Sequence, residues 1–330
     1  MTGTTRPVHD VAMESLMKFS TRRTAWRKPA QWLLAVLVGA LAATGAYAAA
    51  PAQKSFATPD DAVNALVQAV KARDRNAMLA ALGNAREWLS SGDATADQAT
   101  AMRFLTAYEE KHAIVRDGDR ATLLIGSEDF PFAFPLAKSK DRWRFDTASG
   151  KEELLARRIG GNELSAIKVL QAIVDAQREY ASEDRAGDGV LAYAQRIASR
   201  PGKRDGLYWP VKAGEPQSPL GVLAAQAADE GYKQGERSPT PYHGYLFRML
   251  RGQTKNAESG AFDYVVRGRG IAGFAVVAYP ARYGNSGIMT FIVNQNGKIY
   301  QADLGPETKA KAEAMRRFDP GKGWSAVDPK

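Results

Sequence analysis

Residues 262–305, FDYVVRGRGIAGFAVVAYPARYGNSGIMTFIVNQNGKIYQADLG, constrain the fold more than any other stretch. Runs of β-branched and aromatic residues are bounded there by Gly, Pro and Asn. Such side chains suit a pleated, half-buried surface, and glycine supplies the positive φ that tight turns need. Residues 267–270 read as one turn and residues 280–287 as a broad loop. Asn296-Gly297 is a hairpin signal, because the mirror-image turn wants positive φ at both central residues. The stretch therefore predicts consecutive antiparallel strands. Such a sheet must bury a face. Leu164, Ile167, Val169, Leu170, Ile173, Val174 and Ala176 fall on one broad face of a helix that can cover it.

Upstream, Thr58-Pro59-Asp60-Asp61 is a helix start: a capping Thr, Pro in the first turn and acids near the positive end of the dipole. Further helices are predicted over residues 75–82 and 97–110, then strands over 121–126, 130–136 and 142–146. Helices followed by a small antiparallel sheet, closing on Trp143-Arg144-Phe145-Asp146, resemble the cone-shaped α+β fold of the ketosteroid-isomerase type. That resemblance implies a pocket holding an acid or a histidine, with Asp129, Asp146 and His112 as candidates. Gly160-Gly161 reads as a break, with Asn162 capping the long helix after it. The expected class is α+β: a cone-like domain over residues 55–150 and a helix-on-sheet domain over residues 161–330. Residues 190–199 and 218–228 read as short helices. Residues 307–318 read as a basic helix, followed by a docking strap over residues 318–324.

Residues 17–48 have the three parts of a secretory signal. Lys18, Arg22, Arg23, Arg27 and Lys28 precede the apolar run WLLAVLVGALAATGAY, and Ala46-Tyr47-Ala48 is a small-x-small cleavage site before Ala49. The run is shorter than the roughly 20 residues of a spanning helix. Cleavage therefore fits better than a retained anchor, and ordinary export better than the twin-arginine route. Residues 1–16 read as an upstream extension, with Met17 a second possible start. The expected location is periplasmic or secreted, with no stable membrane span after cleavage.

The absence of cysteine excludes disulfides, thiolate metal sites and a lipoprotein anchor. Of the net charge of +9, the first 48 residues carry +4 (six Lys and Arg against Asp10 and Glu14), which leaves +5. This suits anionic envelope surfaces. The basic residues form no run of the kind that binds nucleic acid.

Several motifs invite chemistry. Ser165 and Lys168 have S-x-x-K spacing, but no K-T-G or S-D-N follows. Asp184, Asp188 and Gly189 match positions 1, 5 and 6 of a calcium loop, while Ala186 and Gln195 are wrong at positions 3 and 12, so Asp184 and Asp188 are weak calcium candidates. Residues 268–273 spell G-x-G-x-x-G, but the following FAVVAY is a strand, so no helix N-terminus is offered to a pyrophosphate and no cofactor is expected. Tyr208, Trp209, Tyr242, His243, Tyr245 and Tyr283 stand beside glycines and prolines at strand ends, where aromatics make binding surfaces.

The run AIKVLQAIVDAQREYASEDRAGDGVLAYAQ, then GLYWP, SPLG, PYHGYLFRML and AYPARYGNSGIMTFIVNQNGKIYQADLG, resembles a family of exported bacterial proteins known as domain of unknown function 2950. The resemblance implies an exported protein and carries no catalytic residues. The helix, Gly-rich turn and strands GYLF, GFAVVAYP and TFIVNQNGKIY also resemble the globular head of type IV pilins and pseudopilins, although no apolar polymerisation helix precedes them. The expected function is a non-enzymatic binding or assembly protein with a protein or envelope partner. The alternative is an envelope hydrolase built around His243 and Ser286, which would need His243 in hydrogen-bonding reach of a serine or carboxylate.

Overall fold

The computed structural model describes residues 52–233 and 240–328, and the export signal lies outside them. The helix start read at Thr58 forms a complete capping box. Thr58 Oγ accepts from the Asp61 amide, and the Asp61 carboxylate accepts from the Thr58 amide, so two amides at the N-terminus of α1 (Pro59–Lys71) are satisfied reciprocally. Asp74 caps α2 (Arg75–Leu82) and Asp93 caps α3 (Ala94–Glu110). An antiparallel sheet follows: β1 (His112–Asp117), β2 (Arg120–Ile125), β3 (Phe130–Pro131), β4 (Leu136–Ser139) and β5 (Arg142–Phe145). The order is β1-β2-β4-β5, with β3 also on β2. Residues 130–136 are not one strand, because the chain leaves the ladder between Pro131 and Leu136. The sheet buries Leu123, Leu136 and Phe145 against Leu66 and Leu79, and Trp88 stacks on Phe134.

The predicted break at Gly160-Gly161 is absent. Asp146 caps a single helix α4 (Thr147–Ala181) of 35 residues that runs through both glycines. Each interior glycine costs about 1 kcal/mol relative to alanine. Packing on both sides of the pair outweighs this, since Leu154 and Leu155 join the first core while Ala166, Leu170 and Ile173 join the second. Burying one leucine or isoleucine side chain is worth about 1.5–3 kcal/mol. Leu164, read as part of the covered face, is exposed.

Residues 190–199 are extended rather than helical. The buried Gln177 side chain takes over the backbone pairing at Ala194, donating Nε2–H to its carbonyl and accepting its amide at Oε1 (2.8 and 2.9 Å). Tyr193 and Ala198 bridge to Gly270 and Tyr208. After α5 (Gly221–Asp229) come β6 (Tyr245–Leu250), β7 (Gly252–Gln253), β8 (Phe262–Asp263), β9 (Ala275–Pro280), β10 (Met289–Asn294), β11 (Ile299–Asp303), α6 (Thr308–Ala314), β12 (Arg317–Phe318) and β13 (Ser325–Ala326). The main sheet runs β13-β11-β10-β9-β6, all antiparallel, and β12-β7-β8 form a smaller one. The turn read at Asn296-Gly297 joins β10 to β11, but it is not the mirror-image type, since Gly297 has a φ of 80° and Asn296 is not in the positive-φ region. Every residue of β9 is buried because both faces are covered. Val276, Ala278, Phe291 and Val293 face α4, while Val277, Tyr279 and Ile292 face Ala312 of α6 and Phe318 of β12. The tail is thus a short helix followed by an intramolecular strap.

Candidate functional site

Tyr242 and Tyr245 exchange backbone hydrogen bonds across a two-residue turn. Its central residues, His243 and Gly244, have φ of 46° and 72°. Positive φ at both is what a mirror-image hairpin turn requires, and histidine is among the side chains that tolerate it. The turn is held by Asp93, which is 2% exposed. Asp93 Oδ1 accepts the Ala96 amide as the cap of α3, and Oδ2 accepts the Gly244 amide (3.0 Å) and the Tyr232 hydroxyl (2.9 Å). The Tyr232 oxygen in turn accepts the His243 amide at 3.1 Å. Burial, first of all, pushes the Tyr232 phenol well above its ordinary range, and the neighbouring Asp93 charge adds to this. His243 Nε2 lies 3.0 Å from Glu230 Oε2, and its ring packs against those of Tyr242 and Tyr232. Burial and then Glu230 push the Tyr242 phenol up to about 12.

The broad loop of residues 281–287 seals the same junction. Asn285 Nδ2 donates to the carbonyls of Glu87 and Ser90, and its Oδ1 accepts from Arg158 at 2.6 Å. Asn162 Nδ2 donates to the Ser286 carbonyl, and Glu163 Oε1 accepts the amides of Ile288 and Met289. Side chains of α4 therefore bind the sheet of the second half to the helices of the first.

Beside this junction runs a groove of about 740 Å³ between α3, the β2–β3 turn and α4, with Phe104, Phe130, Phe132 and Leu154 among its walls. Arg103, Arg157, Arg158 and His243 also line it. Arg157 lies over the Phe130 ring at 4.5 Å and pairs with Glu153. Burial pushes the Arg158 guanidinium down, partly offset by Asp97, and it donates to the Trp88 carbonyl and to Asn285, both neutral.

Residues 53–327 match a family described as Protein of unknown function (DUF2950). The chain belongs to this family. Comparison with curated proteins and with solved structures gives no match.

The candidate residues of this DUF2950 protein are dispersed. Tyr245 is fully buried, packs on Phe291 and donates its hydroxyl to the Met289 carbonyl at 2.8 Å. Trp209 is buried against Tyr180, beneath Arg185 and Arg204. Tyr208 packs against the same core, and Tyr283 donates to Asp303, the last residue of β11. Tyr242 and His243 are the two that share one site. Ser286 Oγ is buried and committed to the backbone of Arg282, as acceptor of its amide and donor to its carbonyl. His243 thus has a carboxylate partner in Glu230, and Ser286 is not among its partners.

Asp184 accepts the amides of Ala186, Gly187 and Gly189, which hold its carboxyl below the usual carboxylate range, Gly189 most of all. Asp188 is gripped by both terminal nitrogens of Arg269. The two carboxylates have separate partners, and among the described residues no group of three or more His, Cys, Asp or Glu is placed to hold a metal. Asp146 caps α4, Asp129 pairs with Lys111, and His112 stacks on Tyr108 while hydrogen-bonding its carbonyl at the end of α3. Ser165 Oγ donates to the Gly161 carbonyl and Lys168 is exposed.

Asp93, Arg158, Asn162, Glu230 and Tyr232 were not legible as site residues. Asp93 could be found as a cap three positions before Ala96. Its bond to Gly244, 151 positions away, has no local signal.

Proposed function

We propose that this DUF2950 protein is exported to the periplasm or beyond, and that it binds an envelope partner without catalysing a reaction on it. The observation that supports this reading is the groove between α3 and α4. Its aromatic wall includes Phe130, half exposed at 52% beneath Arg157, and Arg103, Arg158 and His243 line the same groove. Aromatic and arginine side chains in a partly enclosed groove are the residues that dominate binding energy. Ser286, spent on its own loop, supports a binding role over a hydrolytic one. The export reading rests on residues 17–48, and among the described residues no helix is long and apolar enough to cross a membrane.

The test is fractionation of the tagged full chain, with its N-terminus determined, followed by capture from envelope extracts with wild type and Phe130→Ser. A mature N-terminus at Ala49 and a partner lost in the Phe130 variant are expected. A cytoplasmic, unprocessed chain would overturn export, and capture unaffected by the variant would overturn the groove. The hydrolase reading keeps one observation, the His243–Glu230 pair. It gains if the chain turns over an envelope ester or amide and His243→Ala abolishes that turnover.

A further inference from the structure

β6 is the edge strand of the main sheet, and among the described residues no strand closes its outer side. A cleft of about 650 Å³ opens there, between β6 and the extended residues 194–198. Among the described residues four arginines line it, Arg196, Arg248, Arg251 and Arg316, and no Asp or Glu does so. Uncompensated like charges at one place are unfavourable unless a counter-charge arrives. Three of them have no carboxylate within 4 Å among the described residues. Arg248 donates to the carbonyls of Ala312 and Met315 at the end of α6, and Arg316 to the carbonyl of Glu313. These acceptors are neutral. The Nε of Arg248 is buried without a partner. The backbone holds the group together, since the Arg251 amide donates to the Arg316 carbonyl at 2.9 Å. Burial first, and then the adjacent Arg316, push the Arg248 guanidinium down, partly offset by Tyr279 and Glu313. The remaining cation, Arg196, stands 3.8 Å from Asp205 and leads into an adjoining cavity with Arg185, Arg200 and Arg269, each already paired.

We propose that the cleft beside β6 is a binding site for a phosphoryl group, held by Arg251 and Arg316 with Arg248 behind them. Several guanidinium groups lining one cleft can match the several oxygens of one phosphate, each as a charge-assisted donor. The apolar wall of the same cleft, with Phe247, Met249 and Phe274, suits a phosphoryl group that carries an apolar or sugar substituent. The cleft shares no lining residue with the α3–α4 groove, so either site can fail without the other.

The test uses the purified full chain. Co-sedimentation with phosphatidylglycerol vesicles is compared with phosphatidylcholine vesicles, and pyrophosphate binding is followed by titration calorimetry. Binding to phosphatidylglycerol alone assigns a lipid headgroup, and binding to pyrophosphate alone or to both assigns a free phosphoryl group. The double variant Arg251→Ala, Arg316→Ala is expected to lose binding by more than about tenfold, since each lost charge-assisted bond costs about that factor. The pair Arg116→Ala, Lys138→Ala removes the same charge from the first half and is expected to change binding less than about twofold. Failure to bind either probe, equal loss in both double variants, or displacement by a hexaglutamate peptide as effective as by pyrophosphate would overturn the proposal. Arg251 and Arg316 are exposed, so folding of the variant is checked by its thermal transition.

Discussion

The junction around Asp93 and the cleft beside β6 both gather polar groups, and they treat them oppositely. At the junction each buried group has a defined partner: Asp93 accepts from three donors, Asn285 engages three groups, and Glu163 takes two amides. In the cleft, Arg248 and Arg316 meet neutral carbonyls, and among the described residues no carboxylate lies within 4 Å of Arg248, Arg251 or Arg316. A buried hydrogen bond left unmade costs more than one made returns, so satisfied clusters hold architecture. Surface arginines return little to stability and leave their donors free for a ligand. The contrast predicts that substitutions at the junction unfold the protein, while substitutions in the cleft leave folding alone.

The strongest break is Gly244→Ala. A Cβ there would lie 2.5 Å from Asn162 Nδ2 and 2.9 Å from Ser286 Cβ, at a φ of 72°. Strain and overpacking together are expected to cost about 3–5 kcal/mol, read as a large fall in the denaturant midpoint. Asp93→Ala comes next. It strands the Gly244 amide and the Tyr232 hydroxyl and uncaps α3, for an expected loss of about 2–4 kcal/mol. Asp93→Asn, which keeps an acceptor, should lose less. If Asp93→Ala unfolds no more easily than wild type in urea, the junction is not what joins the two halves.

How much of this was legible follows from the range of each signal. The strands of residues 275–280, 289–294 and 299–303 could be read because their side-chain types and the Asn296-Gly297 turn agree locally. The helical cover of the sheet could also be read, while the tail reads as a helix and a docking strap and not as the sheet's second cover. Gly160-Gly161 misled because propensity knows nothing of the two cores that pin α4 on either side. Residues 190–199 misled because Gln177 supplies a backbone-like pairing from another element. β1 was missed because Ile114 is its single partly buried residue, so no alternation shows. His243 was legible as a candidate through its aromatic and glycine neighbours. Its support was not, because Asp93 and Asn285 act on residues more than a hundred positions away.

A pH titration sharpens the junction side of the contrast without mutating it. The Tyr242 phenol is pushed up to about 12, so the folded state favours its neutral form. In the unfolded chain the group ionises near its ordinary value, about 10. The stabilisation is therefore complete below about pH 10 and falls away as pH rises towards 12. Urea midpoints should drop across that window, and the drop should be shallower in Tyr242→Phe. Tyr232, raised for the same reason, should contribute alongside it.

The smallest expected effect lies in the cleft. Arg251→Gln and Arg316→Gln each remove one of the like charges that line the cleft. Among the described residues neither guanidinium has a carboxylate within 4 Å, and Arg316 forfeits one bond to the Glu313 carbonyl. Relief of repulsion and loss of that bond are each worth a few tenths of a kcal/mol for exposed groups, about 0.5 at most, and have opposite signs. The thermal transition should stay within error of wild type at low salt, where unscreened repulsion is greatest. A clear destabilisation in either variant would mean that the arginines serve the fold, as Asp93 does, and that their apparent freedom is not what keeps them available to a ligand.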